Sequence, residues 1–86
     1  MSQIIRIDLR TRWGDPVRVR APDGRVDCII GPGDALAFLV AKWKGHKGLS
    51  YRTARRSCQG ALRGEIGTAL ARAHFTTACM DADILE

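Results

Sequence analysis

The sequence predicts a small α+β domain: a short antiparallel sheet followed by three helices. Three observations carry that expectation. Residues 16–20 and 25–30 alternate apolar with polar side chains on either side of a Pro-Asp-Gly turn. Three later segments place apolar residues three and four apart, the spacing of one helix face. A chain of 86 residues leaves room for one domain, expected to span residues 1–86.

Residues 3–10 alternate as well, with Ile5, Ile7 and Leu9 against Arg6, Asp8 and Arg10. Counted as a strand, this N-terminal extension of residues 1–12 turns the order ββααα into βββααα. The hairpin proper uses Ala21-Pro22-Asp23-Gly24 as its connection: proline presets φ, aspartate tolerates the next turn position, and glycine accepts a left-handed one. Its inner face is expected to carry Val17, Val19, Val26, Cys28 and Ile30, with Arg18, Arg20, Arg25 and Asp27 outside. Two strands alone are marginal in water, so helices must cover that face.

Gly31-Pro32-Gly33-Asp34 closes the hairpin and opens a helix over residues 32–43, with glycine as cap and proline at the first position. Leu36, Leu39, Val40 and Trp43 form its expected stripe, flanked by Ala35 and Phe38. A basic glycine-rich connector, residues 44–48, leads to a second helix capped by Ser50 and stopped by Gly64. At 100° per residue Tyr51, Ala54, Cys58, Ala61 and Leu62 gather on one side and Arg52, Arg55, Arg56, Gln59 and Arg63 on the other. A third helix over residues 68–82 buries Ala71, Phe75, Ala78, Cys79 and Ala82, leaving a second apolar stripe of Ala69, Leu70, Ala73 and Met80.

Composition narrows function by exclusion. Hydrophobic residues at 45% and charged at 27% describe a globular chain, not a disordered or fibrous one. No apolar run reaches the roughly 20 residues of a membrane span, and MSQIIRIDLR does not read as an export signal. Three cysteines, Cys28, Cys58 and Cys79, cannot all pair internally and have no metal-site spacing. They suggest buried thiols in a reducing, cytoplasmic compartment. Catalysis, a metal and a cofactor are not expected: His46 and His74 lack a ligand or carboxylate partner at helical spacing, and three short helices leave little room for a cleft.

The net charge of +5 is unevenly placed: residues 1–63 hold 13 basic against 5 acidic side chains, while residues 64–86 hold Arg72 against four carboxylates. Lys44, Lys47, Arg52, Arg55, Arg56 and Arg63 form the candidate polyanion-binding group, able to displace counterions from phosphates. The bland alternative is a solvated face answered by the acidic C-terminal segment. No aromatic residue interleaves the helical arginines to stack bases, so nucleic acid ranks second. The first expectation is an interaction or regulatory module, a homodimer touching through Ala69, Leu70, Ala73 and Met80.

Read in order, Trp13, Pro16-Val17, Val19, Trp43, Tyr51, Ala54, Cys58, Ala61-Leu62, Gly64, Ala71-Arg72, Phe75, Ala82 and Ile84 resemble a family of small rhizobial and related alphaproteobacterial proteins, domain of unknown function 982. The resemblance covers residues 13–85. It implies a short cytoplasmic α+β protein with no assigned activity. The chain departs from the family in lacking a proline after Trp43 and in placing Asp83 where glycine usually follows the last helix.

Overall fold

A computed structural model describes residues 11–86. The expected strand at residues 3–10 lies outside the described residues. Within them the order is ββααα: β1 (Val17–Arg20), β2 (Val26–Ile29), α1 (Pro32–Ala41), α2 (Leu49–Leu62) and α3 (Thr68–Asp81). The strands pair antiparallel, Val17 opposite Ile29 and Val19 opposite Asp27.

That register corrects the expected inner face. The Ala21 N–H donates to the Arg25 carbonyl and the Gly24 N–H to that of Ala21, which closes a three-residue loop with Gly24 at φ 88°. An odd loop places Asp23 at the centre of the turn, so the residues facing Val17 and Val19 are Ile29 and Asp27. Opposed residues share a face, and a shift of one residue moves every side chain of a strand to the other side. Val26 and Cys28 are therefore exposed, Ile30 is only half-buried, and Ile29 fills the core. Asp27 sits at the margin of the inner face, where its carboxylate accepts from Lys42 Nζ at 2.9 Å.

α1 begins as expected, with Gly31 as cap and Pro32 in the first turn, but ends at Ala41. Its buried side is Ala35, Phe38 and Leu39, with Leu36 half-buried and Val40 57% exposed. Residues 35–41 are apolar all round, so spacing could not choose the face. Phe38, the largest side chain, points inward.

α2 is capped two residues earlier than expected. Gly48 holds the cap position, Ser50 lies inside the helix, and no side chain caps the end. All five residues assigned to its inner face are buried, joined by Ser57 and Gly60. The end is a Schellman motif: Glu65 N–H bonds the Gly60 carbonyl, Gly64 N–H bonds that of Ala61, and Gly64 takes φ 76°. α3 buries Ala71, Phe75, Ala78 and Cys79, and Ala82 packs against the core from just beyond the helix end.

The end of α3 repeats the motif of α2. Ile84 N–H bonds the Cys79 carbonyl, Asp83 N–H bonds that of Met80, and Asp83 holds φ 58°. The departure from the family glycine thus leaves the turn intact, with an aspartate in the left-handed region that its short polar side chain tolerates better than most. The chain then lies along β1. Arg20 N–H bonds the Ile84 carbonyl, Glu86 N–H bonds that of Arg18, Leu85 bridges Val19, and Arg20 pairs with Glu86 at 2.7 Å.

An aromatic chain runs through the core: Trp13 against Phe75, Phe75 edge-on to Phe38, Phe38 edge-on to Trp43, and Trp43 against Tyr51, with ring centroids 5.4–6.3 Å apart. Such geometry adds about 0.5–1.5 kcal/mol per pair beyond area burial. The polar tips are satisfied: Trp13 Nε1 donates to the Ile29 carbonyl at 3.0 Å and Tyr51 Oη to that of Leu39 at 2.9 Å. Both tryptophans are core residues, Trp43 as its place in the expected stripe of the first helix suggested.

Candidate functional site

Three surface features can be built from these elements. The first is the outer side of α2. Burial of Tyr51, Ala54, Cys58 and Ala61 against α1 and α3 fixes the helix rotation, so Arg52, Arg55, Arg56 and Arg63 all point to solvent. Among the described residues none of the four has a carboxylate within ion-pair distance. Glu86, part of the acidic segment expected to answer them, instead pairs with Arg20 on β1. Lys44 and Lys47 are exposed in the connector, and the Lys47 ammonium lies over the Tyr51 ring at 5.8 Å. Lys42, next to this group in sequence, is engaged by Asp27.

The second feature is the outer side of α3. Ala69, Leu70, Ala73 and Met80 are all exposed, Leu70 at 50% and Met80 at 62%. The inward side is filled by Phe75, Ala78 and Cys79, so these four have no core to enter.

The third feature was not visible in the sequence. The N-terminal end of α2 and the C-terminal end of α3 diverge around a groove of about 520 Å³, in the size range of small-ligand sites. The expected lack of room for a cleft is corrected by it. Its walls include Leu49 and Thr53 of α2, His74, Thr77, Ala78 and Asp81 of α3, and Trp43 and His46 of the connecting stretch. His46 is held there by a glycine: its ring lies so close to Gly48 that a Cβ at that position would come within 2.8 Å of it. Trp43 Nε1 donates to the His46 carbonyl at 3.3 Å, so the connector is folded onto the core without the family proline.

His74 is held from behind. Its Nδ1 and the Oγ of buried Ser57 are hydrogen-bonded at 2.5 Å across the α2–α3 contact. The bond leaves Nε2 as the ring atom free for the groove. Ser57 and His74 are 17 positions apart on different helices, so no spacing rule joins them. Ser57 itself is buried behind the histidine and does not line the groove. Among the described residues no three metal-ligating side chains converge, and no helix is long and apolar enough to cross a membrane.

Cys58 on α2 and Cys79 on α3 are both inaccessible free thiols. Burial pushes each up to about 12, with the proximity of Cys58 adding to the effect on Cys79. They act as small hydrophobes. Cys28, by contrast, is exposed on the outer face of β2, which corrects the expectation that all three lie on apolar faces.

The chain matches a family model described as a protein of unknown function (DUF982) over residues 15–86. The chain belongs to this family. No curated protein and no solved structure matches it. Membership assigns no chemistry to the groove or to either outer face.

Proposed function

We propose that the protein is an interaction module that self-associates through the outer side of α3. The observation that carries this reading is the exposure of Leu70 and Met80 on a helix whose inward side is already full, with Ala73 between them and Ala69 beside Leu70. Large apolar side chains flanking small ones let a second helix approach closely, and withdrawing them from water favours association by about 25 cal/mol per Å² of apolar surface. A homodimer is the simplest closed arrangement for such a surface. A cytoplasmic setting accompanies the reading and is supported by three free thiols. Sedimentation velocity tests it: the protein should run as a dimer at tens of micromolar, and Leu70→Asp or Met80→Asp should return it to monomer with its helical content unchanged. A strictly monomeric protein at hundreds of micromolar overturns it.

The outer side of α2 supports a second reading, binding of nucleic acid or another polyanion. What favours it is four solvent-facing arginines, with Glu86 of the acidic tail spent on β1. Affinity for mixed DNA or RNA should then fall steeply with salt, each neutralised phosphate contributing about 0.7–0.9 to the logarithmic slope. The pair Arg52→Glu and Arg56→Glu should abolish binding, and no binding in dilute buffer eliminates this second reading.

A further inference from the structure

We infer that the groove between α2 and α3 is a binding site for a small amphiphilic amine, an ammonium group carried on an aromatic or alkyl body. The cavity, near 520 Å³, can hold such a molecule, and Leu49, Trp43 and Ala78 give it apolar walls. One lining side chain is a carboxylate, that of Asp81. This carboxylate is exposed and has no ion-pair partner among the described residues. It is also the last residue of α3, at the negative end of the helix dipole, and the last turn holds no basic residue to offset it. Two sources of negative field therefore meet at one end of an apolar groove. An ammonium ion, which only donates hydrogen bonds, answers both.

Two further polar groups of the lining fit the same ligand. Thr77 lies one turn before Asp81 on the same side of α3 and offers a hydroxyl oxygen beside the carboxylate. His74 lies a further three residues back, with Nδ1 tied to Ser57, and presents Nε2 to a polar group at the far end of the ligand. Arg52 and Arg56 stand three residues after Leu49 and Thr53, on the outer side of the α2 wall. A second positive charge at that end is disfavoured, which selects a monoamine with a neutral body.

The experiment titrates the full chain with 2-phenylethylamine, 2-phenylethanol and 3-phenylpropionate, following heat and the fluorescence of Trp43, which lines the groove. The amine should bind saturably and at least tenfold tighter than the carboxylate. Asp81→Asn should weaken the amine at least tenfold and leave 2-phenylethanol unchanged. Leu49→Lys, at a position 75% exposed and so free of folding cost, should weaken the amine to the same degree. Absence of saturable amine binding, an unaltered amine affinity in Asp81→Asn, or tighter binding of the carboxylate each overturns the proposal.

Discussion

α2 and α3 are built to the same plan and present opposite chemistry. Each is 14 residues long, each starts from a glycine without a side-chain cap, and each ends in the same pair of reversed hydrogen bonds. They run antiparallel and share Cys58, Cys79, Ser57 and Phe75 between them and the core. Yet the outer side of α2 carries four arginines, whereas that of α3 carries alanines, a leucine and a methionine. Packing constrains only the inward residues. The outward ones are free to be chosen for contact, which is why the two readings of function attach to the two outer sides. The ends differ too: Gly64 enters the left-handed region without penalty, and Asp83 enters it carrying a Cβ.

That comparison can be broken or sharpened by experiment. The largest effect is expected in alkali, where the shared interior is attacked from both helices. Cys58 and Cys79 keep their protons in the folded chain up to about 12, while an unfolded thiol releases its own near 9.0. Because the folded values are raised, the contribution is intact below about 9 and is lost progressively as the pH climbs toward 12. Urea melts between those limits should show the loss, and the double variant Cys58→Ala, Cys79→Ala should move it to higher pH.

Next in size is Phe75→Ala. This ring is fully buried and touches both Trp13 and Phe38, so its removal should cost about 3–5 kcal/mol, read from the denaturation midpoint.

The helix ends come third, and they should respond with opposite signs. Gly64→Ala meets no neighbour within 4 Å, so its cost is conformational, about 1 kcal/mol of lost stability. Asp83→Gly removes the same penalty from α3 and should stabilise the chain by about 0.5 kcal/mol. Equal signs in a thermal melt would mean that the two turns are not equivalent. The smallest effect belongs to the outer side of α2: Arg52→Gln with Arg56→Gln should leave stability within about 0.5 kcal/mol, because those side chains touch nothing that folding requires.

α2 was legible in the sequence because its apolar and charged residues divide cleanly around the helix, so that only one rotation buries the former. The hairpin was legible in kind and not in phase. Val17 and Val19 were placed correctly, but Val26 and Cys28 went to the wrong side because the parity of the loop sets the face, and sequence alone does not fix how many residues a turn consumes. α1 was legible in its start and in the burial of Leu39, while Val40 is exposed because a helix apolar all round has little periodicity to read. The exposure of the α2 arginines and of Ala69, Leu70, Ala73 and Met80 follows from the rotation of each helix, which its buried residues fix. The groove was not, because Ser57, His74, Asp81 and Leu49 come together only when two helix ends diverge, and no local spacing records that.

The strip formed by Ile84, Leu85 and Glu86 along β1 has a consequence for the order in which the molecule can be finished. β1 is among the earliest parts of the domain to be synthesised, and the residues that satisfy its second edge are made after every helix. A nascent chain halted at α3 therefore carries an incomplete ribbon, open to any other strand it meets. Translation must run past the final turn before that ribbon is sealed.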